Sequence, residues 1–304
     1  MTLDDLHQHP LFKEAVRDSV AVQDALGLKL TDEFDENTIL DELQFYVTRV
    51  GFSLSHTLGW VQQLHQAVHF MTNFRYGAKA TDAAVNKSHH LLYNVENYLI
   101  RMVSVYDRCL QLTNAVFHIG MSDELVNHGA IVSNLHVSRT DVPKLLKAVK
   151  KVIKDDEQAR HKLIHRHSPM DPELRRIELL YMQTKETWGT DRKFAYENLV
   201  HTRGQLLKKF TTRRKQEFEA INAELVDALG PLFDGLLVEY RRKKSEAEEA
   251  RVIDSKPKIT SNWRAPSQML RRRYVCTSLK PKSDWQDLQK SEAARPARLP
   301  KLHF

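Results

Sequence analysis

The sequence predicts an all-α protein: an antiparallel helical bundle with a long helical hairpin, additional C-terminal helices and a basic tail. Gly and Pro together number 20 among 304 residues, far fewer than the turns of a β-sandwich or barrel require. Apolar residues recur every three or four positions over several long stretches, which is the helical period. No segment shows the alternation of apolar and polar residues that would predict a β-strand.

The hydrophobic pattern in the first half of the chain predicts the helical hairpin. A short amphipathic element around residues 10–26 and an acidic stretch at 31–36 precede a helix of about nine turns, which Gly77 should end. The second long helix begins near the capping residues Thr81 and Asp82 and ends before Gly120. Two long helices joined by a few residues pack antiparallel. The apolar stripe of the first long helix consists of Leu43, Val47, Val50, Leu54, Leu58, Val61, Leu64, Val68 and Met71. The stripe of the second consists of Leu92, Val95, Leu99, Met102, Val103, Tyr106 and Leu110.

Further helices follow. The pattern weakens at residues 120–140, which predicts a loop with one short helix. Asp141 then caps a third long helix with Pro143 in its first turn, and Ser168-Pro169 ends that helix. Its buried face is Val142, Leu145, Leu146, Val149, Val152 and Ile153.

Another helix opens at Asp171-Pro172, and the helical pattern resumes over residues 191–229. Gly230-Pro231 is expected to kink or divide it. A last periodic segment at 232–240 passes into a charge run at 241–251. These features divide the chain into a helical domain at 1–185, a long helical extension at 186–250 and a basic, weakly structured tail at 251–304.

The positive charge lies in the tail. The chain carries a net charge of +7, but residues 251–304 hold 13 Lys and Arg against 4 Asp and Glu, so the other residues are slightly acidic. Trp263, Tyr274 and Trp285 are interleaved with these basic residues. Such a tail either follows a phosphate backbone and stacks bases or packs weakly on the body or a partner. The sequence leaves both open.

Several classes of function are excluded or disfavoured. No apolar run is long enough to span a membrane, and residues 1–13 do not have the pattern of a signal peptide. Two cysteines make neither a disulfide framework nor a zinc ribbon, so we expect a cytoplasmic protein without a membrane segment. There is no glycine-rich phosphate loop, nucleophile elbow or pair of Cys-x-x-Cys motifs. We expect no cofactor and no metal.

The candidate site is the polar end of the third long helix, with Arg160, His161 and His165. Positions 161 and 165 lie one turn apart on one face, and Arg160 is offset from them by about 100°. A histidine can transfer a proton near neutral pH, and a guanidinium can bind a phosphate. Because the ribose 2′-OH can supply the nucleophile, these parts suffice for cleaving RNA without a metal.

This arrangement resembles the HEPN superfamily, whose signature is R-x(4–6)-H on a helix that follows a helical hairpin. Arg160 and His165 fit the four-residue spacing. The segment from Tyr98 to Arg108 also resembles a helix of one bacterial branch, and the likeness covers roughly residues 35–180. Many members have Asn or Asp after the arginine, whereas this chain has His161, which is still polar.

The resemblance implies a metal-independent endoribonuclease, often a toxin or an antiviral or stress effector. It would act as a homodimer in which two Arg/His sets meet across the interface. Arg160 would bind phosphate, His165 would act as general base or acid, and His161 would steady it. The partners would be RNA and a neutralising protein, and the products a 2′,3′-cyclic phosphate and a 5′-hydroxyl.

Other interpretations stay open. The basic segment can be a solvated helix end whose cations favour the helix dipole, or His161 and His165 can be metal ligands at i, i+4 spacing. Asp107 can pair with Arg160 or Arg101, or it is a surface charge. Tyr98 and Tyr106 are expected in the core rather than stacked on bases, and the remaining histidines of this region are expected to be separate surface or capping residues: His89, His90, His118, His128 and His136. The rival functions are a non-catalytic dimerisation or partner-binding protein with this fold, and a helical scaffold unrelated to HEPN proteins.

Overall fold

The computed structural model describes residues 1–28, 38–74, 85–165, 172–189 and 195–255, without the side chains of residues 154–165 and 253–255. The fold is all-α, as predicted. We number the helices of the described residues α1 Leu3–His7, α2 Pro10–Ala25, α3 Glu42–Thr72, α4 Lys87–Val116, α5 His128–Ser133, α6 Leu135–Ser138, α7 Val142–His165, α8 Pro172–Tyr181, α9 Lys185–Trp188 and α10 Tyr196–Ser255. None of the helices in these ranges is long and apolar enough to cross a membrane.

Helices α3 and α4 form the predicted antiparallel hairpin. The Tyr46 hydroxyl near the start of α3 donates to the Val116 carbonyl at the end of α4 (2.9 Å). At the other end of the hairpin, Nε2 of His90 lies 2.7 Å from the Phe70 carbonyl oxygen. Eight of the nine stripe residues of α3 are buried, and Leu43 packs partly buried against them. The periodicity therefore predicted the buried face correctly.

The caps of the hairpin differ from the predicted ones. Asp41 and Gln44 form a reciprocal capping box at the start of α3. Helix α4 begins after Asn86, whose side chain accepts from two backbone N–H groups of its first turn. Asn86 thus satisfies donors that Thr81 and Asp82 were expected to satisfy, because the helix starts later than predicted. Gly77, Thr81 and Asp82 lie outside the described residues.

Helix α7 packs against both α4 and α10. Its buried residues Val142, Leu146, Val149 and Ile153 belong to the predicted face. The start of α7 lies against Gly235 of α10, where an added Cβ would come 3.1 Å from a methyl carbon of Leu145. The two helices approach so closely here that glycine is the residue that fits without movement.

Helix α10 is one continuous helix that contains Pro231. Of the two expected effects of Gly230-Pro231, the division of the helix was therefore wrong, and a kink stays a prediction. Proline removes one backbone hydrogen bond, but Leu229, Leu232 and Phe233 beside it are fully buried and hold the helix in place. The buried residues of α10 belong to the same core as those of α3 and α4. A separate extension at 186–250 stays a prediction.

Shorter helices complete the described part. Residues 10–26 form α2 as predicted, and Leu3–His7 adds a one-turn helix that the sequence did not indicate. Residues 120–140 contain two short helices where one was expected. Helix α8 begins at Pro172, as predicted. Residues 256–304, most of the predicted tail, lie outside the described residues.

Candidate active site on helix α7

The predicted site lies in the last two turns of α7. The helix is continuous to His165, so positions 160, 161 and 165 share one rigid segment, as expected. Their side chains belong to the stretch that the structure does not describe, and His167 lies beyond the helix outside the described residues. The grouping of Arg160, His161 and His165 around a phosphate therefore stays a prediction.

The helical repeat relates these positions to described residues of α7. Position 160 follows Ile153 by seven residues, which is about two turns, so it continues the line of Val149 and Ile153. Those two residues are buried against the bundle. Positions 161 and 165 instead continue the line of Lys150, three and four turns further along. By the helical repeat, position 160 and positions 161 and 165 therefore continue two different lines of residues along α7.

The side of α7 that carries Lys150 faces α4. The Lys150 ammonium lies 5.7 Å from the centre of the Tyr106 ring, and the Tyr106 hydroxyl is hydrogen bonded to Nδ1 of His128. Burial lowers the pKa of His128 below its ordinary value, and Lys150 lowers it further. His128, between α4 and α7, is thus held neutral near physiological pH.

Helix α10 contacts the starts of both α7 and α8. Helix α7 starts beside Gly235, and Glu173 in the first turn of α8 has its carboxylate 2.8 Å from the Arg213 guanidinium. Residues 213 and 235 are about 33 Å apart along a helix. Between these two contacts the chain therefore travels against the direction of α10.

A cleft in the described part of the chain lies on another side of α10. It encloses about 610 Å³ between the end of α3, the start of α4 and the middle of α10. Lys87, Lys208 and Lys215 line it together with Thr211 and Thr212. On α10, however, positions 211 and 215 point about 180° away from Arg213, which faces α8. The cleft and the contact between Arg213 and Glu173 thus lie on opposite sides of α10.

Four other histidines occupy separate places. His90 is buried and tied to the Phe70 carbonyl, and His118 lies 5.4 Å from the Tyr46 ring. His89 and His136 are exposed. His128 lies beside Tyr106 and Lys150, at the described part of α7. His89 and His136 are surface residues, as expected, whereas His90 is a buried residue of the hairpin.

Tyr98 is a core residue, as expected. Its ring stacks on Phe218 at 3.7 Å, and its hydroxyl donates to the side-chain oxygen of Asn222 (3.0 Å). Tyr106 is also buried. Neither ring is available to stack on a base.

Sequence reasoning missed one cluster on the outside of the hairpin. The guanidinium carbons of Arg101 and Arg108 lie 4.8 and 5.5 Å from the centre of the Trp60 indole. We call Trp60, Arg101, Arg108 and the neighbouring Phe52 and His56 the Trp60 patch. The signal available in the sequence was the seven-residue spacing of the two arginines, which puts them two turns apart on one face.

Within the described residues no group of three or more His, Cys, Asp or Glu side chains could hold a metal ion. The side chains of His161 and His165 lie outside the described residues, so the interpretation of these two histidines as metal ligands stays open.

Comparison with known proteins identifies the family. Residues 53–228 match the model of a HEPN family described as Cthe2314-like. The match begins in α3, includes all of α4 and α7, and ends within α10, so it covers more than half of the chain and extends beyond the residues that suggested the resemblance. No curated protein and no solved structure matches. The chain belongs to the HEPN superfamily.

Proposed function

We propose that the protein is a metal-independent endoribonuclease of the HEPN type. One observation carries the proposal: the R-x4-H sequence of Arg160 and His165 lies on the continuous helix α7, inside the region that matches the family. HEPN proteins are often ribonucleases, and a ribonuclease of this kind needs only an imidazole and a guanidinium held by a rigid element.

The chemistry is an internal transfer at phosphorus. His165 of one set takes the proton of the ribose 2′-OH, the 2′-oxygen bonds to phosphorus, and the bond to the 5′-oxygen breaks. A protonated histidine of the second set gives its proton to that leaving oxygen. Arg160 binds the nonbridging oxygens, whose charge grows in the transition state, and His161 orients His165. The products are a 2′,3′-cyclic phosphate and a 5′-hydroxyl.

The two sets come from two chains in this proposal. We propose a homodimer that brings both copies of residues 160–165 to one groove, a cytoplasmic location and control by a neutralising protein. A toxin or an antiviral or stress effector would need such control, because uncontrolled cleavage of RNA harms the cell. The basic residues of 251–304 would hold RNA or that partner.

The test is cleavage of single-stranded RNA by the purified full chain in EDTA. His165→Ala and Arg160→Ala should each lower the cleavage rate at least about 100-fold, because each removes one acid–base or charge-stabilising group. The products should carry a 2′,3′-cyclic phosphate. Circular dichroism checks that both variants keep the helicity of the unmodified protein.

The matched controls are His136→Ala and Arg139→Ala. Both residues are exposed and lie before α7, far from its end. The controls should cleave like the unmodified protein. Unchanged cleavage by His165→Ala would remove that histidine from the mechanism.

One observation favours the second candidate, a non-catalytic dimerisation or partner-binding protein. Position 160 continues the buried line of Val149 and Ile153, so Arg160 is placed well for an internal ion pair. In that case Arg160→Ala would lower the thermal stability, and no RNA would be cut by any variant. The EDTA assay and a thermal melt of the same samples separate the two functions.

A further inference from the structure

The Trp60 patch is built from two arginines held without a carboxylate. Arg101 donates from Nε to the side-chain oxygen of Asn97 (2.9 Å) and from Nη1 to that of Gln63. Arg108 donates from Nη1 to the side-chain oxygen of Gln111 (2.7 Å). Among the described residues, neither guanidinium has a carboxylate within salt-bridge distance. Their positive charges are positioned but not neutralised.

The indole fixes the two side chains on the surface. Both guanidiniums lie within 6 Å of the Trp60 ring, a cation–π geometry that limits their rotamers. The two arginine side chains are thus conformationally ordered before a ligand binds, which lowers the entropic cost of binding. Each guanidinium keeps further N–H donors for a planar, bidentate acceptor.

Aromatic rings continue the patch on both sides. Phe52 is 65% exposed and lies 4.2 Å from the His56 ring. On α4, Tyr93 is 70% exposed and stands two turns before Arg101. Exposed rings beside arginines are the parts with which proteins bind single-stranded nucleic acid, since bases stack on the rings and phosphates pair with the cations.

The patch lies on the face of α4 that points away from α7. Arg101 and Arg108 are about 140° and 160° around α4 from Tyr106, whose ring centre lies 5.7 Å from the Lys150 ammonium of α7. The patch is therefore a site separate from the predicted one at the end of α7.

We propose that the Trp60 patch is a binding site for the phosphate backbone of single-stranded RNA. Arg101 and Arg108 bind nonbridging phosphate oxygens, and Phe52 and Tyr93 stack on bases. The identification of the ligand as RNA rests on the proposed nuclease function. The patch itself would serve as a positioning site, at which no bond is made or broken.

The test measures binding without cleavage. The probe is a fluorescently labelled RNA of about twelve nucleotides with 2′-O-methyl groups, which cannot attack the phosphate, titrated with the full chain in EDTA. Arg101→Gln/Arg108→Gln should raise Kd at least about tenfold, since each loses a charge-assisted contact. The slope of log K against log salt concentration should fall in magnitude by about 1 to 2.

The control is Arg139→Gln/Lys147→Gln, which removes the same charge at two exposed positions outside the patch. Its Kd should change less than about twofold, because it loses only long-range attraction. Arg101→Lys/Arg108→Lys keeps the two charges but lacks the forked N–H donors of a guanidinium. It should show an intermediate Kd and an unchanged slope of log K against log salt concentration. It also keeps the test decisive if the glutamine variant loses helicity.

Three results would overturn the proposal. The first is binding by the glutamine variant that equals binding by the control, and the second is no binding of the probe by the unmodified chain. The third is light scattering that shows a loss of affinity in the variant only because a dimer separates. The third result would make the patch a contact between two copies. Loss of binding in the variant, together with no cleavage by the unmodified chain, would support the patch and refute the nuclease, so the two failures are distinguishable.

Discussion

The Tyr240 hydroxyl of α10 donates a hydrogen bond of 2.7 Å to Oδ2 of Asp18 on α2, and the Lys244 ammonium lies 2.6 Å from the same oxygen. Tyr240 is fully buried and stacks on Tyr46 of α3 at 5.8 Å. The N-terminal helix α2 is thereby joined to both α10 and the hairpin through one carboxylate. We expect this contact to stabilise the fold measurably.

Tyr240→Phe should lower the free energy of unfolding by about 1.5 to 3 kcal/mol, the usual contribution of a hydrogen bond to a charged group. The ring and its stacking on Tyr46 are kept, so the loss reports the hydroxyl. Urea unfolding followed by circular dichroism measures it. Tyr93→Phe, at a position 70% exposed, is the control and should change stability little.

The same carboxylate makes stability depend on pH. Burial by itself raises the pKa of Asp18, but the hydrogen bonds from Lys244 and Tyr240 outweigh it and hold the pKa below the ordinary value of 3.8. Because the folded-state pKa is depressed, the stabilisation is present above about pH 3.8 and is lost as the pH falls through the lower, folded-state value.

We therefore expect Asp18→Asn to be less stable than the unmodified protein at about pH 6, and the difference to shrink below the ordinary Asp pKa. Urea unfolding of both proteins across this range gives the difference at each pH. A gap that stays constant down to the most acidic folded condition would contradict the assignment.

The sequence predicted single helices better than the contacts between them. The stripe through Leu54, Leu58 and Val61 follows directly from the helical period. The pairing of Trp60 with Arg101 depends on how α3 and α4 are aligned lengthwise, which neither stripe specifies. The three predicted site residues share one helix, as expected, but their grouping depends on side chains and on a second chain, and a sequence pattern specifies neither.

Gly51 marks a close approach of α2 and α3. A Cβ at position 51 would lie 2.0 Å from Oγ of Ser19, which donates to the Val47 carbonyl (2.9 Å), and 3.2 Å from the Ala15 carbonyl oxygen. Gly51→Ala should therefore destabilise the protein by about 1 to 3 kcal/mol through overpacking.

Gly59→Ala on the same helix is the matched control, because nothing lies within 4 Å of its added Cβ. Alanine there should stabilise by about 0.5 to 1 kcal/mol through its better helix propensity. Thermal melts of the two variants should thus shift in opposite directions. Shifts of the same sign would contradict the close approach of α2 and α3.

Pro231 lies exposed inside α10, and it leaves the carbonyl of Asp227 without the N–H that any other residue would supply. Pro231→Ala restores that donor and removes the steric conflict of the ring while losing no buried surface. We expect it to raise the free energy of unfolding by up to about 3 kcal/mol, the cost of proline within a helix. Denaturant unfolding measures the gain, and Pro143→Ala in the first turn of α7, where proline costs little, should show none. A loss of stability in Pro231→Ala would mean that the long helix depends on a bend at this residue.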